Sequence, residues 1–263
     1  FLSNESRMSQ ATVVAAQLYT IRDFMKKPED MAVSLKKIRE IGYKAVQLSG
    51  HGEVETEELK KMLDNEGLSV CATHVRFDDL RDNLDAVMAD HDILECKYVA
   101  IGSLPGEYKN EEGYKKFARE ASEVGKKMKE KGHVFGYHNH SFELVKYGDR
   151  TALAILYEDS DPEYFTAEID TYWIQHGGGD PAAWIRKVSG RSPLVHFKDM
   201  AVTEDRKQVF AEVGEGNLNW PEILSACKEA GVEWYIVEQD RCQRDPFESL
   251  KISLENMKEM GLS

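Results

Sequence analysis

Four short segments in the second half of the chain run apolar and then end on side chains that titrate or bind metals. VFGYHNHSFE ends in His138, Asn139, His140 and Glu143, TAEIDTYW carries Asp170, PLVHFKDM carries His196, Lys198 and Asp199, and WYIVEQDR carries Glu238 and Asp240. Packing gives no reason for a strand to be polar only at its exit, because an unpaired buried carboxylate or imidazole costs on the order of several kcal/mol. Four such exits imply one shared site. Asp170, His196, Glu238 and one histidine of the HNH tripeptide supply two carboxylates and two imidazoles. That mixed set suits a divalent transition metal with positions left for substrate.

The elements that must position these residues alternate regularly. A strand over 13–19 precedes a helix that starts at Pro28-Glu29-Asp30, runs through Ile41 and stops at Gly42. The strand KAVQLSG, a helix from Thr56 to Gly67, the strand LSVCATHVRF, a helix over Asp82 to Glu95, the strand KYVAIGS and a long helix over Asn110 to Lys131 follow. The second half repeats the order: HVFGYHNH, a helix near 151–157, FTAEIDTYW, a short helix from Asp180-Pro181, PLVHFKDM, a helix over Trp220 to Ala230, WYIVEQD and a last helix over Pro246 to Met260. Gly42, Gly67, Gly132 and Gly231 recur where helix gives way to strand, as left-handed caps would.

Eight strand–helix units predict parallel strands, right-handed crossovers and burial on both sheet faces. Closure into an α/β fold of the (β/α)8 TIM barrel type removes both sheet edges and suits a single domain spanning 1–263. An open doubly wound sheet is the alternative, but no GxGxxG follows the first strand, where a dinucleotide fold would place it. The polar opening FLSNESRMSQ is expected to be a disordered or added leader over 1–10, its added residues standing ahead of a native start at Met8.

A formal net charge of −13 disfavours a nucleic-acid partner, whose backbone must be neutralised by Lys and Arg. No apolar run approaches the roughly 20 residues of a membrane helix. Cys71, Cys96, Cys227 and Cys242 are widely spread without CxxC spacing, so neither a zinc ribbon nor a disulfide framework is expected. Reduced thiols and a cytoplasmic location are the corresponding expectations. The segment Glu212-Val213-Gly214-Glu215-Gly216 lacks the Lys-Ser/Thr of a phosphate loop and reads as a tight turn.

YHNHSFE, EIDTYW, VHFKDM, EVGEGNLNW and YIVEQD, with QLYTIRD near the start and ATHVRF on the third strand, together resemble the sugar phosphate isomerase/epimerase family of xylose-isomerase-like TIM barrels. The resemblance covers the chain from about Val13 onward. It implies a divalent ion, commonly manganese with magnesium, cobalt or zinc as alternatives, held here by His138, Asp170, His196 and Glu238, with His140 as the other candidate on that strand. The sequence departs from the ketose-epimerase pattern twice. His138 stands where those epimerases have a ligand glutamate that also shuttles protons, and Trp173 stands where they have a histidine three residues after the aspartate. The HNH form resembles inosose-dehydratase-like members instead.

Chelation of a hydroxyl and a neighbouring carbonyl acidifies the C–H between them and stabilises the resulting enediolate. Reprotonation then gives epimerisation or isomerisation, whereas expulsion of a β-leaving group gives dehydration or lysis. Glu238 is the expected base, with Lys198 or His74 assisting the oxygen or leaving group. Gln17, His51, His140, Glu143 and Trp173 are expected to contact substrate, although Glu143 has a structural alternative in an ion pair with Lys146. The expected partner is a small sugar or cyclitol, with no nucleic acid or membrane and with homo-oligomers possible. An inosose or 3-keto-glycoside dehydratase/lyase is the alternative activity. An abasic-site endonuclease and a non-catalytic sugar-binding barrel are the more distant ones.

Overall fold

The computed structural model describes residues 13–262, and the expected leader lies outside them. Eight strands, β1 (Val13–Gln17), β2 (Ala45–Leu48), β3 (Ser69–His74), β4 (Tyr98–Ile101), β5 (Val134–His138), β6 (Phe165–Asp170), β7 (Leu194–Phe197) and β8 (Trp234–Val237), form a closed barrel. Each pairs in parallel with its sequence neighbours, and β8 closes onto β1. This is the (β/α)8 TIM barrel that the alternation of apolar strands and amphipathic helices predicts.

Among the described residues ten α-helices accompany it: α1 (Pro28–Ile41), α2 (Thr56–Glu66), α3 (Phe77–Asp82), α4 (Leu84–Ile93), α5 (Glu111–Glu130), α6 (Ala152–Glu158), α7 (Thr171–His176), α8 (Pro181–Lys187), α9 (Trp220–Ala230) and α10 (Pro246–Glu259). None of the described helices is long and apolar enough to cross a membrane. The helix starts follow from local chemistry. Asn110, Thr151, Asp180, Asn219 and Asp245 each accept a backbone N–H from the first turn. At the other ends, Gly42 and Gly67 adopt φ of 119° and 64°, which an L side chain would resist.

Four expected boundaries are corrected. β1 ends at Gln17 instead of Tyr19, because the Gln17 side chain accepts the Tyr19 N–H and turns the chain into a 3-10 segment, Leu18–Phe24. The helix expected over 82–95 spans Leu84–Ile93, and an unexpected short helix, Phe77–Asp82, precedes it, separated at Asn83 by φ −134° and ψ 33°. The strand expected to continue through Trp173 stops at Asp170, whose carboxylate accepts the Trp173 N–H at 2.9 Å and starts α7. Past β7, Asp199–Val202 leaves the barrel and pairs antiparallel with Gln208–Ala211. A second small hairpin joins Lys146–Tyr147 to Arg150–Thr151.

Alternation along the strands sorts side chains into two cores. One face packs Val46, Val99, Phe135, Phe165, Val195 and Val237 in the larger core with helix residues such as Leu35, Phe117 and Leu250. The other contributes Ala15, Ala45, Cys71, Tyr98, Leu194 and Ile236 to a smaller one. Two residues further along β1, β2, β7 and β8 from Ala15, Ala45, Leu194 and Ile236 stand Gln17, Gln47, His196 and Glu238. The barrel interior therefore has an apolar floor and a polar layer nearer its carboxyl ends.

Candidate metal centre and active site

His138 ends β5, Asp170 ends β6, His196 lies one residue before the end of β7, and Glu238 follows β8. All four are buried, and one ligand atom from each lies within 4.8 Å of the others. His138 Nε2 is 2.9 Å from Asp170 Oδ2, and His196 Nδ1 is 2.7 Å from Glu238 Oε2. The four exits thus converge, and it is His138, not His140, that joins them.

The chemistry of the donors fits a divalent ion. Two carboxylates and two imidazoles match a transition metal that accepts both nitrogen and oxygen. His138 Nδ1 lies 3.2 Å from the Gly102 carbonyl, the kind of support that fixes a ligating imidazole's orientation and leaves Nε2 facing the cluster. His196 is the most heavily engaged of the set. Its Nε2 lies 2.6 Å from Gln47 Oε1 and 3.1 Å from Glu168 Oε1 while Nδ1 faces Glu238. Burial opposes the charged ring, but the Glu168 and Glu238 carboxylates outweigh it and push its pKa up to about 10.

Lys198 brings the cationic charge. Its side chain is 1% exposed, and Nζ lies 3.0 Å from Asp170 Oδ2, 2.7 Å from Glu238 Oε2 and 2.7 Å from Asp240 Oδ1. Burial alone would raise the carboxyl pKa values. Lys198 with His138 at Asp170, and Lys198 with His196 at Glu238, instead hold both groups ionised below the usual range. Lys198 is in turn held well above its ordinary value, because Asp170, Glu238 and Asp240 overcome the desolvation that would lower it.

A second polar layer, missed in the sequence, lies beneath. Glu168 is wholly buried and accepts from Gln47 Nε2 at 2.6 Å, while its Oε2 lies 2.6 Å from His74 Nε2. His74, Glu168 and His196 form another group with metal-ligand spacing. Strand periodicity held the signal: Glu168 precedes Asp170 by two residues and so shares its face. His74 therefore touches the cluster's base, and desolvation lowers its pKa despite Glu168.

The expected substrate contacts divide. Gln17 is fully buried, donating to Gln47 Oε1 at 2.7 Å and accepting from Tyr19 N, so it orients Gln47 below the mouth. Glu143 is also fully buried and forms no pair with Lys146 among the described contacts. It accepts the Tyr137 hydroxyl and the His140 N–H, fixing the loop from within. Sequence could not reveal that inward turn, since Glu143 sits in the 3-10 turn after β5. His51 Nδ1 lies 2.8 Å from the Gly52 carbonyl, and its side chain lines a cavity of about 510 Å³ together with His74, Ser49, Gly102 and Ser103.

His140 and Trp173 remain beside the cluster, with ring centroids 5.3 Å apart. Their Nδ1 and Nε1 are the buried side-chain nitrogens or oxygens without a hydrogen-bond partner among the described residues. The His140 ring lies 5.1 Å from that of His138, and Lys198 Nζ lies 5.9 Å from the Trp173 centroid. Desolvation, with His138 and Lys198 nearby, pushes the His140 pKa down to about 3, so its ring is neutral. Asp199 has a different task. Its buried carboxylate accepts N–H groups from Gly214, Gly216, Leu218 and the Trp220 indole, tying down the turn after the second hairpin strand.

The family model described as "Xylose isomerase-like TIM barrel" matches residues 35–260. The chain belongs to the xylose isomerase-like TIM barrel family. Among curated proteins it is similar to inosose dehydratase of Clostridium tetani, 28% identical over 157 residues, covering 52% of this chain and 51% of that protein. The chain thus aligns with about half the length of that relative. A solved sugar phosphate isomerase/epimerase from Parabacteroides distasonis superposes with a TM-score of 0.79 at 24% identity, covering 95% and 98% of the two chains. An L-ribulose 3-epimerase superposes at 0.71 and 16%, covering 96% and 94%. These two likenesses are of fold; the residues described above must carry the chemistry.

Proposed function

We propose that this family member is a divalent-metal-dependent isomerase or epimerase acting on a sugar or keto-sugar through an enediolate. The observation that carries the reading is the convergence of His138, Asp170, His196 and Glu238 at the carboxyl ends of four barrel strands. An ion held by these residues, manganese in the first instance, would polarise a substrate carbonyl and acidify the adjacent C–H.

The remaining roles belong to the chain. Glu238 is the base: His196 and Lys198 both engage Oε2, which leaves Oε1 for the substrate proton. Lys198, held in its charged form, stabilises developing negative charge on the substrate oxygen. The unpartnered His140 Nδ1 and Trp173 Nε1 offer buried polar atoms to hydroxyl groups, which favours a polyhydroxylated substrate. One base suffices for isomerisation, because a proton taken from one carbon can return to the next on the same face. Epimerisation needs a second proton donor opposite.

Dehydration or lysis of an inosose or 3-keto-glycoside is the second reading. Replacement of a strand-five carboxylate by His138 and the likeness to inosose dehydratase favour it. NMR in deuterated water with manganese and a panel of ketoses, inososes and 3-keto-glycosides separates the possibilities. Exchange at the carbon next to the carbonyl, abolished in Glu238→Gln with metal still bound, supports the base assignment. Undiminished exchange in that variant refutes it, and a product lacking water or an aglycone selects the second reading.

A further inference from the structure

Lys198 occupies an unusual position for a residue beside a metal centre. Two of its three ion-pair partners, Asp170 Oδ2 and Glu238 Oε2, are the oxygens nearest the ligating histidines, at 2.9 Å from His138 Nε2 and 2.7 Å from His196 Nδ1. The third, Asp240 Oδ1, is its hydrogen-bond acceptor and belongs to none of the groups with ligand spacing among the described residues. Asp240 lies toward the rim, its side chain 21% exposed, and its backbone is fixed from two directions. Arg22 Nη2 donates to the Asp240 carbonyl at 3.0 Å, and the preceding Gln239 N–H donates to Thr20 Oγ1 at 3.0 Å.

An ammonium and a divalent cation cannot both sit against the same two oxygens without strong mutual repulsion. We propose that Lys198 and Asp240 form a counter-ion exchange device: the Lys198 ammonium balances Asp170 and Glu238 in the metal-free protein and withdraws onto Asp240 when the ion enters. Asp240 is then a positioning residue that acts through Lys198. Before the ion arrives Lys198 hydrogen-bonds Asp240 and ion-pairs with Asp170 and Glu238, so it offsets part of the negative charge that the divalent ion would otherwise neutralise. After withdrawal, Lys198 remains anchored at the mouth, where it faces substrate oxygen. The device rests on the metal-centre reading given above.

Calorimetric titration of manganese alone into the full chain tests the device without reference to turnover. Lys198→Met removes the competitor and is expected to tighten manganese binding by about tenfold or more, whereas Asp240→Asn, which strands Lys198 on the ligands, weakens it about tenfold. In the double variant the Asp240→Asn penalty should fall below about twofold, because there is no ammonium left to receive. Should Lys198→Met unfold without metal, manganese-dependent recovery of its thermal transition gives the same reading, and failure to recover counts against it. Unchanged or weaker binding in Lys198→Met, or an undiminished Asp240 effect in the double variant, overturns the exchange while leaving the metal centre standing. A wild-type chain that takes up no manganese overturns both.

Discussion

Glu168 Oε2 and His74 Nε2 lie 2.6 Å apart beneath the four-residue cluster, so the third and sixth strands are joined through a buried polar contact. The same carboxylate faces His196 at 3.1 Å and accepts from Gln47 at 2.6 Å, which makes it the support on which the His196 ring rests. Burial would raise its pKa, but His196 and His74 hold it well below the ordinary carboxylate range.

Removing that carboxylate leaves its buried partners unmatched. Glu168→Ala is therefore expected to lose roughly 3–5 kcal/mol of stability in urea unfolding, the range for breaking a buried pair from one side. Glu168→Gln, which keeps an acceptor for Gln47, should lose less. Equal and small losses in both variants would mean that the layer under the site is not structural.

Asp199 gives a prediction about the rim. Gly214, Gly216 and Leu218 donate to its carboxylate at 2.9, 3.0 and 3.2 Å, and a Cβ at Gly216 would come within 2.3 Å of Asp199 Oδ1. Asp199→Ala should cost about 3 kcal/mol and speed amide hydrogen exchange at those three positions selectively. Exchange that rises evenly through the barrel instead would contradict the local role.

Glu143 supplies a pH dependence. Burial pushes its pKa up to about 6 from 4.5, against the opposing hydrogen bonds from Tyr137 and His140 and the nearby His138, while Tyr114 and Tyr157 complete its surroundings. A carboxyl whose folded pKa exceeds its unfolded one binds more protons when folded, so it lowers stability as pH rises from 4.5 through about 6. The cost at pH 7 is about 2 kcal/mol for a shift of that size. Glu168, Asp170 and Glu238, all depressed, contribute stability that is lost only as pH falls below their unfolded values of 4.5 and 3.8, outside this window. Urea unfolding of Glu143→Gln and wild type across pH 4.5–7 should show their difference moving toward the variant by about 2 kcal/mol. A constant difference would show that Glu143 does not titrate in that interval.

The barrel was legible because its strands are short apolar runs that end in glycine, acid or imidazole, and because each long helix carries its own stop signal. Asp170, His196 and Glu238 stood out for the same reason, as polar exits from apolar strands. Glu168 and Gln47 did not stand out, since one polar residue inside an apolar run looks like noise until alternation is applied against a known partner on the same face. Gln17 and Glu143 were visible as polar residues, but their direction depends on contacts from distant strands and from the loop's own backbone. The Asp199 hairpin was hidden because its pairing partner, Gln208–Ala211, lies across an intervening turn with no strong strand signal.

Anomalous diffraction from crystals grown with manganese puts the four-residue metal centre to direct test. One strong peak is expected at the barrel mouth, coordinated by His138, Asp170, His196 and Glu238, with Lys198 Nζ moved off Asp170 and Glu238. No peak at saturating manganese, or a peak bound elsewhere while these four side chains keep their mutual hydrogen bonds, would contradict it.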